Sequence, residues 1–214
     1  MNENIIGEAA SFVKKIFKDD PGGHDHFHTM RVYKMAARIA EQEGADILTV
    51  SLAALLHDVD DIKLSPGTHK NKDRAAAFLR EQGVSEEMTE AVCSIIKEVS
   101  FMGTDSVVPG TPEGRCVQDA DRLDALGAVG IARTFAYGGS HGRAIHDPDI
   151  EPAHGMNGEE YRSHVSTSVN HFYEKLFLLR GMMNTDTGRR LAAQREAYMK
   201  DYISEFLDEW EGIR

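Results

Sequence analysis

The sequence predicts an all-α fold. Apolar residues recur at helical spacing along most of the chain, and breakers containing Gly or Pro separate the resulting segments. No stretch shows the sustained period-two alternation that is typical of a half-buried strand. A chain of 214 residues, 41% of them hydrophobic, can bury one sizeable core. We therefore expect a helical bundle that forms a single domain over residues 1–214.

The first half of the chain divides into five predicted helices. The first covers about residues 4–18 and ends at an Asp-Asp-Pro-Gly-Gly breaker. The second covers about 27–43, where Gly44 can form the C-cap. Asp46 can cap a third helix, and its segment 47–56 is apolar nearly all round, which predicts a buried central helix. Two further helices are predicted at about 71–82 and 86–98.

The second half begins with a long predicted helix over about residues 113–136. Residues 137–158 are rich in Gly, Pro and His, which predicts a long irregular loop of the kind that often forms a lid or binds a ligand. Helices are predicted again over about 159–183 and 186–211. The expected architecture is therefore a core of about residues 23–137 with a C-terminal helical extension.

Composition and charge exclude several classes of protein. The formal net charge of −11 argues against binding along a nucleic acid polymer, which needs a basic face. No segment has the features of a signal peptide or the length to span a bilayer. Cys93 and Cys116 lack a paired spacing and are expected to be reduced thiols. We expect a cytoplasmic protein without membrane contact, whose substrate can still be a small anion if a metal reverses the local potential.

Two groups of polar residues stand where a helical core would not normally accept them. His57 and Asp58 end a very apolar helix, where burial is costly unless both side chains are satisfied. Asp119, Asp121 and Asp124 occupy a predicted helix interior, for which Asp is a poor choice. A divalent metal would account for both groups, because imidazole and carboxylate ligands suit Mn, Fe, Co, Ni, Zn or Mg. Water bound to such an ion becomes a nucleophile near neutral pH.

The order H…HD…D, formed by His28, His57-Asp58 and Asp121, resembles the HD phosphohydrolase superfamily. The flanking segments HDHFHTMRVYKMA, LAALLHDVDD and VQDADRLDALGAVGIARTF match as well. Within the superfamily, the chain resembles small bacterial single-domain hydrolases of the YpgQ/YedJ-like kind over about residues 23–209. The resemblance implies an HD-domain helical bundle that hydrolyses phosphoesters or phosphoanhydrides with a metal.

The resemblance further implies that the four residues of this pattern, His28, His57, Asp58 and Asp121, bind the metal. Mn or Mg is the first candidate, and Fe, Co, Ni and Zn are alternatives. Asp119 and Asp124 remain alternatives to Asp121 as the last ligand, and Asp124 could instead orient a ligand histidine. Arg122 is interpreted as a structural ion-pair partner.

Acidic residues just after the HD pair are implied to orient the attacking water or to act as general base, which selects Asp61 and, as the second candidate, Asp60. Cations could neutralise the phosphate charge of a nucleotide, and the resemblance makes the residues just before His28 candidates for the pocket. The residues expected to bind the substrate are therefore Lys63, Arg143, His24, Asp25 and Lys97.

The implied activity is hydrolysis of (deoxy)nucleoside triphosphates with release of pyrophosphate, and a 5′-nucleotidase acting on monophosphates is the nearest alternative. A dinuclear-iron oxygenase would need more histidines than His69 between the HD pair and Asp121. A non-catalytic nucleotide sensor is a third hypothesis, which the intact ligand set and the Asp60-Asp61 pair disfavour. A homodimer through apolar residues of the C-terminal helices, among them Phe172 and Leu178, is a further hypothesis.

Overall fold

The structure is a computed structural model that describes residues 2–18, 25–60, 67–68, 70–99 and 103–214. Within these ranges the regular structure is entirely helical, without a β-strand, so the predicted all-α fold class is confirmed. No helix in the same part of the chain is both long and apolar enough to cross a membrane.

The chain forms two compact units. The first consists of Met1–Ser100 and Val107–Asp121, and the second of Phe101–Ser106 and Arg122–Arg214. The organisation as one domain with a C-terminal extension stays a prediction.

The first unit is built around a buried central helix. Its helices are α1 (Asn2–Ile16), α2 (His26–Glu43), α3 (Ile47–Leu56), α4 (Asp73–Glu81), α5 (Glu86–Val99) and most of α6 (Pro112–Asp124). Helix α3 contacts α1, α2 and α5, and every residue from Val50 to Leu56 is buried. Residues 47–56 are apolar nearly all round the helix because neighbouring helices contact α3 on all of its sides.

The ends of α2 and α3 follow from local sequence. The side chain of Asp46 accepts a hydrogen bond of 2.8 Å from the amide of Thr49 and so caps α3. Gly44 ends α2 with φ 72°, a left-handed conformation that suits glycine. Both predicted caps are confirmed. Cys93 and Cys116 are buried and form no disulfide.

The second unit contains α7 (Gly127–Ser140), α8 (Gly158–Ser163), α9 (Phe177–Leu179) and α10 (Asp186–Trp210). A π-helical turn, Phe172–Leu176, precedes α9, and a 3-10 turn, Arg180–Met182, follows it. Helix α10 packs against α7. Phe172 is fully buried in this core and cannot make the dimer contact proposed for it, whereas Leu178 is exposed.

The single long helix predicted over 113–136 is wrong, because the chain breaks between α6 and α7. Gly127 adopts φ 75°, which strains any residue with a side chain. The start of α7 also folds closely against the end of α6: a Cβ on Gly130 would lie 2.2 Å from the carbonyl oxygen of Ala125. The helical periodicity continues across this break and therefore conceals it.

The boundaries predicted in the second half are also wrong in two places. Helix α7 continues to Ser140, so the irregular segment begins later than residue 137. The helix predicted over 159–183 is interrupted after α8, where His164 takes an extended conformation. The amides of Ser168 and Val169 then donate to carbonyl oxygens of residues 144 and 145 instead of continuing a helix.

Candidate metal centre

Four side chains predicted to bind metal lie together in the first unit. His28 belongs to the first turn of α2, His57 and Asp58 follow α3 directly, and Asp121 lies in the last turn of α6. Asp58 Oδ2 is 3.1 Å from His57 Nε2 and 3.5 Å from His28 Nε2. Asp121 Oδ1 is 3.4 Å from His28 Nε2 and 3.8 Å from His57 Nε2. Two imidazoles and two carboxylates therefore share one small space.

The spacing of these donor atoms fits a single ion. Nitrogen and oxygen ligands about 2.1 Å from a metal lie about 3.0 Å apart at right angles and about 3.4 Å apart at tetrahedral angles. One donor atom from each of His28, His57 and Asp58 lies within 4.8 Å of the others. Asp121 is outside that three-residue group, but its Oδ1 borders both imidazoles. The donor set suits a borderline or hard divalent cation.

The ring of His57 is oriented for metal binding. Its Nδ1 lies 2.8 Å from the carbonyl oxygen of Ala54, and a carbonyl can only accept, so Nδ1 carries a proton. The other nitrogen, Nε2, is buried and makes no hydrogen bond with any described residue, although an Asp58 oxygen lies 3.1 Å away. An unsatisfied buried nitrogen is costly, and coordination of a cation would satisfy it.

The electrostatics of the cluster also favour a cation. Burial lowers the pKa of His57, but the carboxylates of Asp58 and Asp121 outweigh it and hold the pKa above its ordinary value. Burial raises the pKa of Asp121, but His28 and His57 outweigh it and hold that pKa below its ordinary value. The Asp121 carboxylate thus remains charged in a mostly buried place and stabilises positive charge beside it, which a divalent ion can supply.

Three of the four candidate ligands are buried, and the fourth is partly exposed. His28, His57 and Asp58 are at most 9% exposed. The Asp121 side chain is 25% exposed, so solvent reaches the cluster beside it. A bound ion would therefore have room for water and a substrate oxygen on that side, as catalytic metal sites require.

Asp60 has a structural contact that its sequence position did not reveal. It is fully buried, and its two carboxylate oxygens accept hydrogen bonds from the amides of Arg74 at 3.2 Å and Ala75 at 3.0 Å. These amides belong to the first turn of α4, whose N-cap residue Lys72 provides no side-chain cap. Asp60 therefore caps α4 from a distant position in sequence. Its role in catalysis stays a prediction.

The predicted substrate-binding residues are spread over both units. The Oδ1 of Asp25 accepts a hydrogen bond of 2.7 Å from the amide of His28, so Asp25 caps the helix that carries this histidine. Lys97 is exposed in the last turn of α5. Arg143 belongs to the second unit, where its guanidinium lies 5.4 Å from the ring centroid of Tyr137. Three of the predicted residues, His24, Asp61 and Lys63, lie outside the described residues.

The other aspartates of α6 have different surroundings. Asp119 is fully buried. Asp124 forms an ion pair of 2.6 Å with Arg133 and is 6% exposed at its side chain, so it has a cationic partner other than a ligand histidine. Arg122 donates a hydrogen bond to the carbonyl oxygen of Met182.

Comparison with known proteins gives consistent matches. The family model described as HD domain matches residues 26–126. The chain is 38% identical over 205 residues to the uncharacterized protein YpgQ of Bacillus subtilis, covering 95% of this chain and 92% of the relative. An HD-superfamily hydrolase of Bacillus thuringiensis is 42% identical, with a TM-score of 0.79 and 99% of each chain covered. The crystal structure of Bacillus subtilis YpgQ in complex with ADP gives a TM-score of 0.78 at 34% identity, covering 98% of this chain and 100% of that chain.

Proposed function

Because this chain belongs to the HD domain family of metal-dependent phosphohydrolases, we propose that it hydrolyses (deoxy)nucleoside triphosphates to monophosphates and pyrophosphate. The observation that carries the proposal is the convergence of two imidazoles and two carboxylates, with nitrogen–oxygen distances of 3.1 to 3.8 Å and one imidazole nitrogen left without a hydrogen bond. A nucleotide substrate is supported by the YpgQ relative, whose crystal structure was determined in complex with ADP.

In this proposal His28, His57, Asp58 and Asp121 hold the divalent ion. When bound, such an ion lowers the pKa of water and polarises a phosphoryl oxygen. The carbonyl of Ala54 fixes the tautomer of His57, so that its Nε2 presents a lone pair. Asp25 fixes the first turn of α2 and with it the backbone of His28.

The reaction requires attack of a water oxygen on the α-phosphorus and cleavage of its bond to the bridging oxygen, so that pyrophosphate leaves. The proton lost by the water goes to a carboxylate, for which Asp61 is the candidate. Both oxygens of the neighbouring Asp60 already accept backbone hydrogen bonds, which favours Asp61 over Asp60 for this role. We propose Mn or Mg as the metal and a cytoplasmic location for the reaction.

The proposal is tested with metal-stripped protein, to which Mn, Mg, Co or Ni is returned together with nucleoside mono-, di- or triphosphates. Phosphate and pyrophosphate are measured separately. We expect pyrophosphate from triphosphates, and its loss in Asp58→Ala. Asp201→Ala, which removes an exposed carboxylate of α10, is the matched control and should retain full activity.

Two other results would contradict the proposal. Phosphate released from monophosphates would identify a 5′-nucleotidase instead. No release from any nucleotide, in protein shown to contain metal, would exclude nucleotide hydrolysis and favour the oxygenase or sensor hypotheses.

A further inference from the structure

The second unit contains a concentration of positive charge in an otherwise acidic chain. Between residues 175 and 200 the sequence has six Lys or Arg residues and two Asp or Glu residues, whereas the whole chain has 24 of the former and 35 of the latter. Local reversal of charge of this kind attracts anions that the rest of the surface repels.

Part of this charge lines a cleft of about 400 Å³ between the turn after α9 and the helix α10. The lining residues are Phe177, Arg180, Gly181, Arg189 and Glu196. The side chains of Arg180 and Arg189 are about half exposed, at 54% and 53% respectively. Their guanidinium groups are therefore accessible to a ligand in solution.

Glu196 forms ion pairs with Arg180 and Lys200 on one side of the cleft. Its carboxylate is 7% exposed and accepts contacts of 2.8 Å from Arg180 Nη1 and 3.0 Å from Lys200 Nζ. Burial raises its pKa, but Arg180 and Lys200 outweigh it and hold the pKa below the ordinary value, so the carboxylate stays charged. Lys200 also lies 5.6 Å from the ring centroid of Phe177. One carboxylate is thus shared by two cations, which leaves an excess of positive charge.

Arg189 is held by the main chain on the other side. Its Nη1 donates to the carbonyl oxygens of Met183 and Asn184, each at 3.0 Å, and its Nη2 donates to Asp186 at 2.8 Å. Carbonyl groups orient the guanidinium without cancelling its charge. Asp186 is 92% exposed at its side chain, so solvent screens this ion pair strongly.

We propose that this cleft binds a diphosphate group through Arg180 and Arg189. Two guanidinium groups, each held by hydrogen bonds within the second unit, can match the oxygens of a phosphoryl group in a bidentate manner. Three cations, Arg180, Arg189 and Lys200, stand against two carboxylates, Glu196 and Asp186, and this excess of positive charge favours a multiply charged anion over a single carboxylate ligand. The choice of diphosphate among such anions rests on the proposed function, which would release pyrophosphate. The same group occurs in a nucleoside diphosphate.

Calorimetric titration of the metal-free full chain with pyrophosphate, and separately with ADP, tests the proposal. We expect the wild type to bind pyrophosphate and Arg180→Gln/Arg189→Gln to bind it at least tenfold more weakly. The matched control is Arg80→Gln, which removes an equally exposed guanidinium paired with Glu86 in the first unit. Circular dichroism would show that the double variant remains folded, since Glu196 keeps Lys200 as its partner.

The two ligands distinguish the source of the group. If the double variant loses affinity equally for pyrophosphate and ADP, the cleft recognises the diphosphate group itself. If it loses affinity for pyrophosphate alone, the cleft recognises the free anion. Absence of pyrophosphate binding to the wild type, or equal affinity in the double variant, would overturn the proposal.

The outcome is independent of hydrolysis, because no metal is present during the titration. Asp58→Ala should bind pyrophosphate as the wild type does. If only the proposed function is wrong, the wild type will bind pyrophosphate but will not hydrolyse nucleotides. If only the cleft proposal is wrong, the wild type will hydrolyse nucleotides but will not bind pyrophosphate at Arg180 and Arg189.

Discussion

Asp60 accepts a hydrogen bond of 3.0 Å from the backbone amide of Ala75, although the two residues are 15 positions apart. The contact joins the turn that carries His57 and Asp58 to the first turn of α4. A carboxylate at a helix N-terminus satisfies amides that have no partner in the helix and interacts favourably with the helix dipole. Asp60 therefore fixes the backbone immediately after the candidate metal ligands.

Replacing Asp60 should affect stability more than chemistry. Asp60→Ala removes both hydrogen bonds to α4 and should lower the free energy of unfolding by about 1–3 kcal/mol, as measured by urea denaturation. Asp60→Asn keeps one acceptor oxygen and should lose less. If Asp60 is only a cap, kcat of Asp60→Asn should remain within about tenfold of the wild type. A loss of roughly 100-fold or more without loss of stability would instead identify a general base.

The ion pair between Asp124 and Arg133 should contribute to stability and not to metal binding. Arg133→Gln leaves the buried Asp124 carboxylate without this cation and should lower the free energy of unfolding by about 1–3 kcal/mol, because the arginine is partly exposed. The double variant Asp124→Asn/Arg133→Gln should recover part of that loss. Metal affinity measured by calorimetry should not change in either variant, and a tenfold change would implicate Asp124 in the metal centre.

The structure also predicts a specific loss of stability in acid. Burial, and then the charges of Lys175 and Arg143, lower the pKa of His171 to about 3. The pKa in the unfolded chain is about 6.5, so between these values the unfolded state binds more protons. The contribution of neutral His171 to the free energy of unfolding is therefore present above about pH 6.5. It is lost as the pH falls, by about 2 kcal/mol at pH 5.

His171→Gln tests this, because glutamine does not titrate. The difference in the free energy of unfolding between pH 7 and pH 5 should shrink by about the same amount in the variant. His141→Gln, which changes an exposed histidine, should leave the difference as it is. An unchanged difference in His171→Gln would show that its ring titrates normally in the folded protein.

Metal should stabilise the folded protein through His57. An ion that binds only the folded state at 100 times its Kd raises the free energy of unfolding by about 2.7 kcal/mol. Thermal unfolding should therefore shift upward with Mn in the wild type and in the control His154→Gln, an exposed histidine. His57→Gln should show no shift. An equal shift in His57→Gln would contradict its role as a ligand.

The sequence was most informative where local chemistry determines structure. Gly44 and Asp46 act as caps through bonds to residues a few positions away, and the apolar 47–56 segment could only be a buried helix. The four residues of the H…HD…D pattern could be selected because their order and flanking segments resemble the HD superfamily. The structure brings their donor atoms together, while their role as ligands remains a prediction.

Contacts distant in sequence could not be predicted in this way. Nothing in the spacing indicates that Asp60 reaches the amides of α4, or that Arg180 and Arg189 line one cleft. The break at Gly127 was missed because an isolated glycine is tolerated within a helical pattern, and only its φ of 75° reveals the turn. The interruption after α8 depends on backbone hydrogen bonds to residues 144 and 145, which sequence periodicity does not encode.

The most direct test of the metal centre is an anomalous-scattering map from crystals grown with Mn. We expect one peak within bonding distance of Nε2 of His28 and His57 and of carboxylate oxygens of Asp58 and Asp121, and no peak in Asp58→Ala. A peak against Asp119 or Asp124 instead, or no peak in the wild type at saturating Mn, would contradict the assignment of these four residues as the metal ligands.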